Sequence, residues 1–463
     1  MRGLRVLSCA AALATVAVGC SESSDSDSSA AGAGDKRPAV QDDPPERLKK
    51  LSVPPAYDSA KGWQHTFESL PENLSSIPAT MGTKSKSLAI LRTGPTGHVI
   101  QSRALGSGRL RWSSKVWNPP VPAKEASDED SDSGQNAPHL TIAAHGGREY
   151  VVAWGHGMEG KDELHNGREI VKLSIFPSTA SGYDVTPERT VNVPFEVGRI
   201  EELRVHGGSQ GILVTAGSHA ASVNVRSGKV KQYEDANELL KQCADSACAG
   251  SEIPALTSLG PVVSTEGVEG FGIPGHWFSE ELAPEGRTNG KLLAATDESL
   301  FASWETKGWG GSSKSVFAVH DPETGAIEAR VTCSEDAYLD GKDVWGEDKN
   351  RMPPASVSPN GRYLVAGSVA FDLKEKRGLC LMGDGDRKRL ILLSVGDNGT
   401  AYGGTAPEDA DGEHSTPVAV PLASGSPKAL PQGTQMPLMM GPGVGGFLTN
   451  ENEELSLAIV RER

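Results

Sequence analysis

The chain has 463 residues, enough for one large closed fold or two to three smaller domains. Its formal charge is −15, from 60 acidic and 45 basic residues, and no basic stripe runs through it, which argues against nucleic-acid binding. After the first twenty residues no apolar run approaches the roughly twenty residues that a membrane-spanning helix needs.

The N-terminus opens with Arg2 and Arg5, followed by an apolar stretch over residues 6–18. About thirteen residues cannot cross a bilayer of roughly 30 Å but suit the apolar region of a signal peptide. The stretch ends in Ala17-Val18-Gly19-Cys20, which resembles the lipobox of bacterial lipoproteins, with Ala17 where leucine is usual. The resemblance implies cleavage after residue 19, a thioether-linked lipid on Cys20, and a domain held at the outer face of a membrane, inner or outer. Loss of Arg2 and Arg5 takes the formal charge from −15 to about −17. The alternative is an ordinary secretory signal in which Cys20 is incidental.

Residues 20–50 are rich in Ser, Asp, Ala, Gly and Pro, and such a segment buries too little surface to offset its ordering entropy. It is expected to be a disordered tether reaching roughly 30 Å. The remainder, 51–463, is expected to be a single folded domain. A second polar tract, "KEASDEDSDSGQN" at 124–136, spaces Asp128, Asp130 and Asp132 as in an EF-hand loop. However, glycine falls one place late at Gly134, and His139 stands where a bidentate Glu belongs, so the tract reads as a solvated acidic loop.

From residue 85 onward short apolar runs alternate with Gly, Asn-Gly or Asp turns, as in "LTIAAHGGREYVVAWG" (140–155), "LRVHGGSQGILVTAG" (203–217) and "ASVSPNGRYLVAG" (355–367). Each reads as strand, tight turn, strand. A second element ends in Ser/Thr-Gly: "ALGSGRLRW", "VNVRSGKVKQY", "VHDPETGAIEAR" and "PLASGSPKA". Its glycines are Gly108, Gly228, Gly325 and Gly425, and each gap spans about two units of fifty to sixty residues. Units of this size built from about four short strands predict an all-β chain folded as a β-propeller. "SGRLRW" is similar to the blade motif of PQQ-type repeats, which implies that Trp112 packs between blades, although Gln232 and Ala329 replace the aromatic in two other copies. "SVSPNGRYLVAG" resembles the hairpin of WD40- and TolB-type blades. Seven blades are expected, with eight possible, because the irregular segment 234–290 reads as an insertion or as a further blade. The one expected helix is "DANELLKQCA" (235–244). The terminal strand "LSLAIVRER" requires a partner, for which the sequence following the tether is the candidate. Two irregular β-sandwiches are the alternative fold.

Cys9 leaves with the leader and Cys20 takes lipid, leaving Cys243, Cys248, Cys333 and Cys380. An even count in an exported chain predicts the disulfides Cys243–Cys248 and Cys333–Cys380, worth roughly 2 and 4 kcal/mol by loop-closure entropy. The alternative is one four-thiolate zinc site, although only one close cysteine pair is present. No catalytic or metal-ligating constellation and no cofactor is assigned. PQQ enzymes of this fold often carry adjacent cysteines, which are missing here; "GGSSKS" (310–315) lacks the Gly-x-Ser-x-Gly frame, and Ser-x-x-Lys does not occur. His145 and His206 sit before similar Gly-Gly pairs and read as equivalent turn-bordering residues. The eight tryptophans read as packing residues rather than as a sugar-stacking surface. The functional expectation is therefore a lipid-anchored binding or scaffold protein of the cell envelope with a protein partner. An envelope hydrolase or lyase with its site at a channel mouth, and carbohydrate or small-solute binding, are the alternatives.

Overall fold

A computed structural model describes residues 44–67, 77–121, 138–197, 203–233, 239, 252–265, 270–296, 298–306, 314–338, 355–384, 386–406, 415–451 and 454–463. All of these residues belong to the compact unit Asp43–Arg463. Cys20, Cys243, Cys248 and the tract 124–136 lie outside the described residues, as does the expected helix over 235–244 apart from Leu239.

The strands assemble into eight antiparallel sheets, each with a core of four strands, arranged as the blades of a propeller. Blade 1 spans 79–114, blade 2 139–194, blade 3 204–233 and blade 4 252–278. Blade 5 spans 287–334, blade 6 356–380 and blade 7 390–429. Blade 8 joins three C-terminal strands, Met439–Gly441, Val444–Glu451 and Glu454–Glu462, to Tyr57–Thr66 from the start of the domain. The pairing Trp63↔Ile459 and Thr66↔Ser456 closes the ring through the partnership expected of the last strand. The fold also takes in part of the expected tether, since Glu46–Arg47 pairs with Tyr57–Thr66.

The count of seven is corrected to eight. The segment 234–290 contains a sheet of its own, in the order Glu252–Leu256, Pro261–Thr265, Gly270–Ile273, Trp277–Phe278. Its strands are short and one of them, Gly270–Ile273, is interrupted by two glycines, so their apolar runs are too brief to stand out in the sequence.

Burial explains why the longer strands read as unbroken apolar runs. The buried residues fall into eight clusters, one at each seam between neighbouring blades. Successive side chains of a strand point to opposite faces, so each middle strand feeds two seams. In blade 1, Leu88 and Ile90 pack toward blade 8, while Ala89 and Leu91 pack toward blade 2. A strand buried on both faces has no polar alternation to display. Trp112 is fully buried and stacks on Phe176 of blade 2 at 5.4 Å, which places this tryptophan between blades.

The Ser/Thr-Gly elements join the third and outermost strands of blades 1, 3, 5 and 7, so the double-unit spacing of their glycines is a spacing of two blades. All four glycines are left-handed, with φ between +66° and +73°. Cys333 Sγ and Cys380 Sγ lie at bonding distance with Cα atoms 5.5 Å apart, linking the outermost strands of blades 5 and 6. Among the described residues no helix is long and apolar enough to cross a membrane.

Candidate functional site

In an antiparallel four-stranded blade the first and third turns emerge on one side. The innermost strands of neighbouring blades contact one another around the axis, so the first turns ring the mouth of the central channel. A cavity of about 190 Å³ opens there, lined by residues of five blades. Blade 1 contributes Thr83 and Lys84, blade 2 contributes Glu149 and the stretch 142–144, and blades 3, 5 and 6 contribute Ser209, Glu298 and Pro359.

Glu149 is the most buried charge at this mouth, at 6% exposure. Its two oxygens accept hydrogen bonds from the backbone N–H of Lys84 (3.0 Å) and Ser85 (2.7 Å). A buried carboxylate needs such donors, and here they come from the neighbouring blade, so Glu149 ties blades 1 and 2 together. The same device recurs around the face. Glu323 of blade 5 accepts from Ser258 N (3.2 Å) and Oγ (2.6 Å) of blade 4. Asp397 of blade 7 accepts from Asn360 N (2.9 Å) of blade 6. Lys84 and Glu298 remain as exposed charges of opposite sign at the cavity.

The histidines separate into distinct environments. His145 pairs with Arg148 beside its turn, whereas His206 pairs with Leu213, two residues further from its own turn, so the two are not equivalent. The Gly-Gly pairs mislead because one forms the turn itself and the other ends the strand before Ser209-Gln210. His206 lies on the innermost strand of blade 3, where desolvation by the surrounding protein and then the charge of Arg204 lower its pKa. His320 is fully buried. Its Nδ1–H donates to Gly325 O (2.8 Å) and its Nε2 accepts from Trp304 Nε1–H (3.3 Å). Burial lowers its pKa against the carbonyl contact, which raises it, so this imidazole is a neutral brace for its turn. His156 meets Glu169 Oε1 at 2.7 Å, toward the opposite side of blade 2. Among the described residues no group of three His, Cys, Asp or Glu side chains is placed to hold a metal ion.

The sequence did not single out Glu149 or Lys84. Glu149 follows the turn in "HGGREYVV", and only the three-dimensional seam shows that it reaches blade 1. The serines of "PLASGSPK" have structural partners, since Ser424 Oγ donates to Pro421 O (3.3 Å) within its turn.

These features define an eight-bladed β-propeller whose turn face is bound together from blade to blade. No family model and no curated protein matches the chain. Among solved structures it is similar to the WD40 domain of Toxoplasma gondii coronin, at 9% identity over 89% of this chain and 88% of that one, with a TM-score of 0.30. It is similar to the polysaccharide lyase Uly1 at 10% identity, covering 83% and 90% of the two chains, with a TM-score of 0.36. It is also similar to Porphyromonas gingivalis dipeptidyl peptidase 4 at 9% identity, covering 81% of this chain and 56% of that one, with a TM-score of 0.41. The blade count rests on the eight sheets themselves.

Proposed function

We propose that this chain is a lipid-anchored β-propeller of the bacterial envelope that acts as a binding or scaffold protein through its turn face. The observation that carries the reading is the use of turn-face carboxylates as ties between blades. Glu149, Glu323 and Asp397 each hold backbone N–H donors of a neighbouring blade. Groups committed in this way stiffen a platform and are poorly placed to shuttle protons. A tether at Cys20 would keep that platform at high effective concentration near other envelope components.

A photocrosslinking residue placed at Ser209 on intact cells should capture one envelope protein reproducibly, and a position on the opposite side should not. Turnover of an ester, glycoside or uronide substrate, lost in Glu149→Gln while folding is retained, would replace the binding reading with an enzymatic one. The anchor has its own test. An alkyne fatty acid should label the wild-type chain and not Cys20→Ser, and equal release of both into the medium would overturn lipidation.

A further inference from the structure

The net charge of the chain is acidic, yet the described turns of blades 1 and 3 carry exposed cations and no exposed carboxylate. Arg111 donates from Nη1 to Ser85 O (2.7 Å) and from Nη2 to Lys86 O (3.2 Å), which draws Arg111, Lys84 and Lys86 of blade 1 together. Arg461 of blade 8 donates from Nε to Gly106 O (2.9 Å), beside Arg109 in the third turn of blade 1. Arg189 of blade 2 donates to Arg226 O (2.6 Å) of blade 3, in the turn that also carries Lys229. Arg148 stands between these groups and donates to Thr179 Oγ1 (3.2 Å).

Arg111, Arg461, Arg189 and Arg148 are fixed by carbonyl and hydroxyl oxygens, so their charge is ordered but not neutralised. No described carboxylate forms an ion pair with any of these cations. Glu149 lies among them but is buried and occupied by the amides of Lys84 and Ser85. Across the channel, the described turn residues of blades 4 and 5 include Glu298, Asp321 and Glu323 and no lysine or arginine. The face therefore carries an acidic sector over blades 4 and 5, set against a basic crescent from blades 8, 1, 2 and 3 that is broken only by the exposed Asp184 and Glu188 of blade 2; blades 6 and 7 carry further cations, Lys374, Lys376, Arg377 and Lys428, mixed with Glu375 and Asp397. The linear sequence hides the crescent because its members come from separate turns.

We propose that the crescent is the docking surface for an acidic, extended polypeptide segment of the partner, lying over blades 1–3 with its inner end at the channel-mouth cavity. This deepens the binding reading above and rests on it. Charge complementarity selects an anionic occupant. The split selects a narrow one, because a flat anionic membrane covering the face would also meet the carboxylates of blades 4 and 5. The cavity beside Lys84 supplies a concave end for such a segment.

The test uses the full mature chain carrying Cys20→Ser and fluorescent decaglutamate as the probe. Binding is expected at low salt and should weaken as salt rises, since exposed charges are screened within about 10 Å at 0.1 M. Lys84→Glu, Lys86→Glu and Arg226→Glu combined should weaken it about tenfold or more. Lys374→Glu, Lys376→Glu and Lys428→Glu combined change the net charge equally on the same face at blades 6 and 7, and should weaken it less than about threefold. Unchanged unfolding midpoints for both triples would show that the loss is in binding. Equal weakening by the two triples, or no probe binding at low salt, overturns the proposal. It is also overturned if vesicles of phosphatidylglycerol and phosphatidylcholine bind through the crescent while decaglutamate does not. Capture of an envelope protein at Ser209 that ignores the crescent triple would leave the binding function standing and remove the acidic segment.

Discussion

Blades 5 and 6 build the same outer turn with different residues. In blade 5, Asp321 Oδ1 accepts from Thr324 N (2.7 Å) and Oγ1 (2.8 Å), and Gly325 follows at φ +70°. In blade 6, Asp372 accepts from Glu375 N (3.2 Å), and Lys376 takes the left-handed position at φ +52°. Both turns need a residue with positive φ, yet only one uses glycine. The neighbouring blade makes the difference. A Cβ on Gly325 would lie 2.3 Å from Leu282 Cδ1 and 2.7 Å from Trp277 Cδ2, whereas Lys376 is exposed. Blade 5 therefore needs glycine for space as well as for φ, and the motif marks a turn pressed against its neighbour.

The largest effect is expected at the bond that joins these two blades. Replacing Cys333 and Cys380 together by serine opens a loop of 47 residues and should lower stability by up to about 4 kcal/mol, read from urea unfolding. A loss below about 1 kcal/mol would mean that blades 5 and 6 hold each other without it. Next comes Gly325→Ala, which combines a left-handed alanine with a clash and should cost about 3 kcal/mol. Gly425→Ala is the control, because its Cβ would come no closer than 3.3 Å, to Leu379 Cδ2, and should cost only about 1 kcal/mol. Equal losses at the two sites would mean that φ alone governs the turn.

Acid should separate the blades more gently. His320 in blade 5 is held neutral by burial, so its folded pKa lies below the unfolded value of about 6.5. The unfolded chain then binds the extra proton, and stability falls as pH drops from about 6.5 toward that lowered value. Asp372 in blade 6 has the opposite history. The bidentate guanidinium of Arg362, at 3.0 and 2.7 Å, holds its carboxyl below the ordinary range. Its contribution is full above about pH 4 and is lost only as pH falls through the lowered pKa. Hydrogen exchange at pH 5 should therefore open the turn of blade 5 before that of blade 6, and the reverse order would break the contrast. Smallest of all, Lys376→Gly should change stability by about 0.5 kcal/mol, as relief of strain opposes greater freedom in the unfolded chain. A loss above about 2 kcal/mol would reveal a role for the Lys376 side chain that its exposure does not suggest.

The legible parts of the fold were those written in local chemistry. Gly108, Gly228, Gly325 and Gly425 each close a turn within a few residues, and their two-blade period was readable as such. Trp112 was readable as an inter-blade residue through the likeness of "SGRLRW" to the blade motif of PQQ-type repeats. Blade 4 was hidden because its outermost strand is only Trp277–Phe278 and Gly270 and Gly272 interrupt the apolar pattern. The candidate site was almost wholly hidden. Glu149 meets the amides of residues 84 and 85 from more than sixty positions away, and no periodicity encodes a contact between blades.

The ring is fastened by a strand at residues 57–66 that pairs with one ending at residue 462, and this fixes an order of events. During synthesis the first half of the clasp exists long before the second, so the circle stays open until the strand Glu454–Glu462 is made. The same arrangement acts as an inspection of completeness. A product truncated before Leu455 loses its partner for Tyr57–Thr66, leaves bare strand edges, and becomes recognisable to proteases as unfinished.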